Sequence, residues 1–285
     1  MTTPALLEEV SEQTAAGSIA DTYADIRRVL GVPMVVLVYR ALAAQPGRLE
    51  HIWSVLAANL AARDTQRNAE SICPPEIGSV EPVPRAFLTA ARLDRALLAD
   101  TLDAFDRANR LNLIGLTSLL VGAPGNPSAD STPGPSETPR KLLPMAELAS
   151  LPQSTLELLQ RISVPLAGPG PPIVIPSLFR YFAHDHELLE KIWHTIGHAI
   201  TSDRFPSAVI KLSTHARVLA GRLPYSVPRV DDHDTREIAT RFTTVLPAMI
   251  VTTNLVRLAL AELTAPRDDA CICHSSQVRP PAGPT

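Results

Sequence analysis

The chain has 285 residues, 45% of them hydrophobic and 19% charged, which is enough apolar material for a sizeable core and excludes a disordered chain. Its 26 basic and 29 acidic side chains give a formal charge of −3, so no basic excess exists to neutralise a run of phosphates, and nucleic acid is excluded as a main partner. Three cysteines are too few for a disulfide framework and no signal-peptide pattern opens the sequence, so a cytoplasmic protein is expected.

The first half of the chain shows helical periodicity and no alternating strand pattern. Asp21 is predicted to cap a helix over 22–31, which ends at Gly31 before Pro33. Further along, apolar residues recur at spacings typical of an amphipathic helix, at Leu102, Phe105, Leu113, Leu116 and Leu120. The low aromatic content, 4%, also favours helices over strands.

A segment rich in proline, glycine and serine separates two parts of similar length. It reads PGNPSADSTPGPSETP over 124–139, a composition that cannot hold a helix. The sequence therefore predicts a helical unit over 1–122, a linker over 123–144, a second helical unit over 145–266 and a flexible tail over 267–285.

The second unit is helical as well. Ser154 is predicted to cap a helix that begins TLELLQRI, and a later helix buries Leu188, Leu189, Ile192, Ile196 and Ile200. The longest apolar run, 245–256, contains polar residues and is shorter than the roughly 20 residues that cross a bilayer. We expect this run to be a buried core helix, with no membrane partner.

The two units resemble each other in sequence. VPMVVLVYRALAAQPGRLEHIW (Val32–Trp53) aligns with PPIVIPSLFRYFAHDHELLEKIW (Pro171–Trp193) at an offset of 140 residues, and 113–120 aligns more weakly with 249–256. Equivalent residues include Arg40 with Arg180, Leu49 with Leu189, Glu50 with Glu190 and Trp53 with Trp193. We therefore expect an all-α fold of two tandem pseudo-repeats, each of about five to six helices, in a pseudo-two-fold arrangement.

Two groups of histidine and cysteine residues have spacings that metal sites also use. His194 and His198 are four residues apart on a predicted helix, but no glutamate follows His194 as in an HExxH site. Cys271, Cys273 and His274 lie in the predicted tail and offer only three ligands. Structural histidines and a flexible tail explain both groups, and no glycine-rich phosphate loop is present, so neither a metal nor another cofactor is expected.

Two polar residues stand within apolar helical segments. Asn109 lies on the apolar face of its helix, one turn after Phe105 and one turn before Leu113. A buried amide must find a partner or cost roughly 1–3 kcal/mol, so Asn109 is a candidate functional residue. Ser177 is a second candidate, with helix capping after Pro176 as the alternative explanation.

At these residues the chain resembles the group I (DehI-type) 2-haloacid dehalogenases. The resemblance covers both halves and rests on DTYADIRRVLGVP (Asp21–Pro33), YRALAAQPGRLEHIW (Tyr39–Trp53), AFDRAN (Ala104–Asn109) and PSLFRYFAHDHELL (Pro176–Leu189). It implies an all-α fold of two repeats joined by a proline-rich linker and distantly similar to alkylhydroperoxidase D-like proteins. It also implies a small-molecule pocket between the repeats.

The resemblance further implies a reaction. In that family a carboxylate activates a water molecule, which attacks the halogen-bearing α-carbon of a 2-haloacid directly, without a metal. Carried over to this chain, the catalytic positions include Asn109 and Ser177. The residues expected beside the substrate are Met34, Leu37, Val38, Leu178 and Tyr181.

Leu178 occupies the position where the resemblance implies the catalytic aspartate, and a leucine cannot accept a proton. Asp185, Tyr181 and His184 follow nearby, but none reproduces the expected geometry. Three hypotheses therefore stay open: a hydrolase of the dehalogenase type, the same fold re-used as an enzyme on a more apolar small molecule, and a non-catalytic helical binding protein. A homodimer is also compatible with the sequence.

Overall fold

The computed structural model describes residues 6–90, 94–134, 141–167 and 173–262. These residues form α-helices, one 3-10 turn and isolated β-bridges, which confirms the predicted all-α fold. The helices are α1 (Gly17–Leu30), α2 (Leu37–Leu42), α3 (Arg48–Ala61), α4 (Arg63–Glu70), α5 (Arg85–Ala90), α6 (Arg95–Val121), α7 (Gln153–Ala167), α8 (Ser177–Phe182), α9 (His186–Ile200), α10 (Arg204–Ala220) and α11 (His233–Ala259).

In the described part of the chain, an aspartate directly precedes three helices and accepts hydrogen bonds from backbone N–H groups of the first turn, namely Asp94 for α6, Asp185 for α9 and Asp232 for α11. The predicted cap at Asp21 is wrong, because α1 begins at Gly17 and contains Asp21. Helix α1 begins about one turn earlier than predicted, because its apolar face continues to pack against the core in that turn. The predicted cap at Ser154 is also wrong, since α7 begins one residue earlier.

Two sets of helices follow the same order along the chain. The helices α1, α2, α3, α4 and α6 have 14, 6, 14, 8 and 27 residues. The helices α7 to α11 have 15, 6, 15, 17 and 27 residues. This correspondence supports the predicted tandem duplication and its boundaries, which stay predictions.

The long helices α6 and α11 pack against each other along the centre of the fold. The weakly matching segments 113–120 and 249–256 lie in these two helices. In α11, Thr252 and Thr253 are fully buried, and their hydroxyls donate to the carbonyls of Ala248 and Met249 at 2.8 Å. Each buried hydroxyl is thereby satisfied within its own helix.

Among the described residues, α11 alone is long and apolar enough to cross a membrane. The apolar run 245–256 was predicted to be too short for this, but it is only part of a helix that has 27 residues. Within α11, 72% of the most apolar stretch is buried inside the fold. Because a helix that crosses a bilayer turns much of its surface towards lipid, this burial identifies α11 as a core helix.

The predicted linker contains no helix in the parts that the structure describes, 123–134 and 141–144. Hydrogen bonds nevertheless hold it against both halves of the chain. Asn126 N donates to Leu223 O at 2.7 Å, and Arg63 N donates to Thr132 O at 2.8 Å. The predicted tail residues Cys271, Cys273 and His274 lie outside the described residues.

The segment before α1, residues 6–16, runs across the junction of the two halves and is called the N-terminal strap below. Leu7 N donates to Ile173 O at 3.1 Å, and Val10 N donates to Arg40 O at 3.0 Å. Tyr23 Oη donates to Val10 O at 2.9 Å. The strap therefore contacts α1, α2 and the segment that leads into α8.

Candidate binding pocket

Two buried arginines face each other from short helices in the two halves of the chain. Arg40 lies on α2 and is 1% exposed, while Arg180 lies on α8 and is 2% exposed. They are the residues that align at the offset of 140. Fully buried arginines are rare unless a counter-charge lies near them.

Glu9 of the N-terminal strap supplies that counter-charge to both arginines. Arg180 Nη1 donates to Glu9 Oε1 at 2.9 Å. Arg40 Nε lies 3.0 Å from Glu9 Oε2, but the two atoms are not aligned for a hydrogen bond, and neither has a hydrogen-bond partner among the described residues. One carboxylate thus lies between two guanidiniums.

The remaining contacts of the arginines are unequal in strength. Arg40 Nη2 donates to Ser177 Oγ at 2.9 Å, whereas Arg40 Nη1 faces only the thioether of Met145, at 3.8 Å. Arg180 Nε donates to Ala146 O at 3.0 Å, and Arg180 Nη2 lies 3.6 Å from Glu147 Oε2. Burial lowers the pKa of Arg40, and the Glu9 carboxylate opposes that shift.

A cavity of about 410 Å³ opens beside this pair. Charged side chains line it, namely Glu12, Arg40, Lys141, Glu147 and Arg180, together with an apolar wall that includes Pro33, Met34, Leu142 and Met145. Charged groups therefore form a large part of the cavity wall, and the twin arginines and the strap contribute several of them.

Two of the predicted substrate-contacting residues, Met34 and Tyr181, line this cavity. Burial raises the pKa of Tyr181 to about 12, helped by the negative charge of Glu12, so its phenol stays protonated at neutral pH. The Tyr181 ring packs edge-on against Phe105 of α6, with ring centroids 5.5 Å apart. This contact joins the cavity wall to the helix that carries Asn109.

Asn109 is buried on the apolar face of α6, as the helical periodicity predicts, and it is 4% exposed. Its Nδ2 atom has no hydrogen-bond partner within the described part of the chain. Asn112, one turn further on, accepts a hydrogen bond from Tyr39 Oη at 2.6 Å, and its own Nδ2 has no partner in the ranges that the structure describes. Two buried amide donors therefore lie on neighbouring turns of α6.

The other predicted site residues do not line the cavity. Ser177 is the first residue of α8 and makes no capping bond, so the capping explanation is wrong, and its hydroxyl instead accepts from Arg40. Leu178 is fully buried and Val38 is 1% exposed, both in the hydrophobic core. Leu37 is half-buried and packs against that core.

The nearby acid and histidines serve the local structure. Asp185 Oδ1 accepts from Leu188 N at 3.0 Å as the cap of α9, so this carboxylate is turned towards the backbone. His184 lies before α9, and its Nε2 is 3.1 Å from Pro144 O. His194 and His198 are exposed on α9, and in the described ranges no group of three His, Cys, Asp or Glu side chains could hold a metal ion.

Sequence reasoning missed Glu9, Arg40 and Arg180 as site residues. The two arginines already stood out as identical residues at equivalent positions of the two halves, and this was the signal that could have found them. Glu9 carries no comparable signal, because its two partners lie 31 and 171 residues away in the sequence.

Comparisons with known proteins agree with the predicted resemblance. No protein-family model matches the sequence. Over 242 residues the chain is 26% identical to a configuration-inverting 2-haloacid dehalogenase from Alcaligenes xylosoxydans xylosoxydans, covering 79% of this chain and 80% of that protein.

Crystal structures of D-2-haloacid dehalogenase have the same fold as this chain. A mutant of that enzyme matches with a TM-score of 0.76 at 16% identity, covering 90% of this chain and 96% of that one. A complex with L-LA gives a TM-score of 0.76 at 16% identity and covers 90% and 97% of the two chains. The resemblance to 2-haloacid dehalogenases is therefore confirmed in sequence and in fold.

Proposed function

We propose that this chain, a relative of the 2-haloacid dehalogenases by sequence and by fold, is a hydrolase that acts on a small 2-halocarboxylic acid. The observation that carries the proposal is the cavity of about 410 Å³ with buried Arg40 and Arg180 on its wall. Its volume is in the range of small-molecule sites. Met34 and Tyr181 supply an apolar surface for the carbon chain beside the charged groups.

The proposed reaction is a displacement at a saturated carbon. A water oxygen forms a bond to the α-carbon, the carbon–halogen bond breaks, and the halide leaves with the bonding electron pair. A carboxylate takes the proton that the attacking water releases. The products are a 2-hydroxy acid and a halide ion.

Glu147 is our candidate for the proton acceptor. Of the acids that line the cavity, Glu12 is engaged at both oxygens, with Val35 N at 2.8 Å and Arg27 Nη1 at 2.7 Å. Glu147 has a looser contact, 3.6 Å from Arg180 Nη2, and its side chain is 46% exposed. Its carboxylate therefore has room to accept a proton from water.

Halide release tests this proposal. The protein is incubated separately with D- and L-2-chloropropionate, and free chloride is measured against a protein-free blank. We expect chloride release from the wild type and a loss of at least about a hundredfold in Glu147→Gln, since removing a general base typically costs 10²–10⁴ in rate. Glu157→Gln, a change at an exposed residue of α7, is the matched control. Absence of release with both substrates contradicts the proposal.

A second candidate function is ligand binding without dehalogenation, or turnover of a more apolar molecule. One observation favours it: Leu178 is fully buried where the family resemblance implies a catalytic aspartate. Leu178→Asp tests this alternative, with Leu178→Asn as a polar control that lacks a base. Chloride release by Leu178→Asp alone, from an otherwise inactive protein, supports the second candidate.

A further inference from the structure

We propose that Arg40 and Arg180 together hold the carboxylate group of an organic acid, while Glu9 remains behind them as their internal counter-ion. The inference rests on the proposed function for the location of the site, and it goes further by naming the groups that bind the acid. Both arginines are almost completely buried, yet both line the same cavity. A buried guanidinium at a cavity wall is a ready site for a carboxylate.

The first support is hydrogen-bonding capacity that the protein leaves unused. Arg40 Nε is buried against Glu9, so the donor that remains on this side chain is Nη1, which faces the sulfur of Met145, a weak acceptor, at 3.8 Å. Arg180 Nη2 has an ion-pair contact of 3.6 Å, beyond hydrogen-bond distance, with the half-exposed carboxylate of Glu147. Each guanidinium therefore has a donor that an oxygen in the cavity can use.

The second support is the balance of charge around the cavity. Within the part of the chain that the structure describes, the cations at or beside it are Arg27, Arg40, Lys141 and Arg180, and the anions are Glu9, Glu12 and Glu147. Four positive charges against three negative charges leave a surplus of one. One monocarboxylate would neutralise this surplus.

The third support is the apolar part of the wall. Pro33, Met34, Leu142 and Met145 line the cavity together with the ring of Tyr181. A carboxylate held by the arginines would place a short carbon chain next to these side chains. The geometry therefore favours a monocarboxylic acid of a few carbon atoms over an inorganic anion, which would leave this wall without a partner.

The experiment measures binding of propionate, an acid without a leaving group, by isothermal titration calorimetry. Propionamide, which has the same shape and no charge, is the comparison probe. We expect propionate to bind the wild type and propionamide not to bind. Arg40→Met and Arg180→Met should each weaken propionate binding about tenfold to a hundredfold, because each removes charge-assisted hydrogen bonds.

Each arginine variant keeps one guanidinium beside Glu9, so that carboxylate retains a partner. Circular dichroism verifies that each variant folds. If Arg180→Met does not fold, Arg180→Lys takes its place, because lysine keeps the positive charge but lacks the planar guanidinium that can make two hydrogen bonds to one carboxylate. Arg67→Met is the matched control, since Arg67 pairs with Asp64 on the exposed surface of α4 and does not line the cavity. Its affinity for propionate should stay within about twofold of the wild type.

Glu9→Gln should change the affinity for propionate in the opposite direction. Removing the negative charge between the arginines should strengthen propionate binding, whereas a merely structural role for the arginines predicts no gain. Folded arginine variants that bind propionate as tightly as the wild type would overturn the inference, and so would a wild type that binds propionate and propionamide equally. Arginine-dependent propionate binding without any chloride release would support the inference and contradict the proposed dehalogenation.

Discussion

At the scale of single residues, the Tyr39–Asn112 hydrogen bond shows what a buried polar pair contributes. Both residues are fully buried, and Tyr39 Oη donates to Asn112 Oδ1 at 2.6 Å. Tyr39→Phe leaves that amide oxygen without a donor, so we expect the free energy of unfolding to fall by about 1–3 kcal/mol. Urea denaturation measures the change. The double variant Tyr39→Phe/Asn112→Leu should recover part of the loss, and a larger loss would contradict this explanation.

Asp25 gives a prediction of pH dependence. Burial raises the pKa of Asp25, but hydrogen bonds from Trp53 and Arg28 and the charge of Arg28 outweigh burial and hold the pKa below its usual value. In the unfolded chain the pKa of this aspartate is roughly 3.9. Because folding lowers that pKa, the ionised carboxylate stabilises the folded state at pH values above about 3.9, and the stabilisation is lost as the pH falls through the lower pKa of the folded state.

The wild type should therefore lose stability on acidification more steeply than Asp25→Asn, which does not titrate. Urea denaturation at a series of pH values between neutrality and about pH 3 measures the two slopes. In the wild type, Trp53 Nε1 donates a hydrogen bond of 2.8 Å to the Asp25 carboxylate. An amide oxygen accepts such a bond less strongly than a carboxylate does, so at neutral pH Asp25→Asn should be less stable than the wild type. Parallel pH curves would contradict the role assigned to Asp25.

The residues of the site were predictable to different degrees. Burial of Asn109 followed from its position within one helix, because helical periodicity is a local property. The bond from Arg40 to Ser177 joins residues 137 positions apart, and the ion pairs of Glu9 join the strap to both halves. Such contacts depend on how the helices pack, which no local pattern encodes.

At the scale of secondary-structure elements, a substitution of Asp185 tests whether this carboxylate stabilises a helix and takes no part in ligand binding. It caps α9 through Leu188 N at 3.0 Å. Asp185→Ala should lower the free energy of unfolding by about 1 kcal/mol, the usual cost of losing such a cap. Thermal or urea unfolding measures this cost. Propionate binding should stay unchanged, and a large loss of binding in a folded variant would contradict the structural assignment.

The helices themselves were largely predictable, and their ends were not. The apolar spacing that predicted helices at Leu102–Leu120 and Leu188–Ile200 corresponds to α6 and α9. The predicted starts of α1 and α7 were wrong because a polar residue that can cap a helix can equally well lie in its first turns. Packing against the core decides between these positions.

At the scale of the whole molecule, the N-terminal strap ties the two halves together. Glu9→Ala keeps the strap in place but leaves Arg40 and Arg180 buried side by side without their shared counter-ion. Because an uncompensated buried charge typically costs 3–5 kcal/mol, we expect the free energy of unfolding to fall by about 3 kcal/mol or more. Urea denaturation followed by circular dichroism measures it, and an unchanged midpoint would contradict the role of the strap.

The sequence predicts a two-part organisation because segments of the two parts match at an offset of 140 residues and, more weakly, at 136. The matched segments lie in α2 with α3 and in α8 with α9, and the twin arginines mark the same place in each set. The charged character of the cavity could not be inferred in this way. Apart from Arg40 and Arg180, the charges on its wall come from Glu12 of the strap and from Lys141 and Glu147, which lie outside the aligned segments.

The surplus positive charge beside the cavity has a consequence for how this protein will respond to electrolytes. A concave surface of net positive potential concentrates small anions, and dissolved salt weakens that attraction over a distance of about 10 Å at 0.1 M. Chloride and phosphate from a buffer would then compete with an organic acid for the same two guanidiniums. A halide set free in the cavity would be retained in the same way, so turnover would slow as product accumulates.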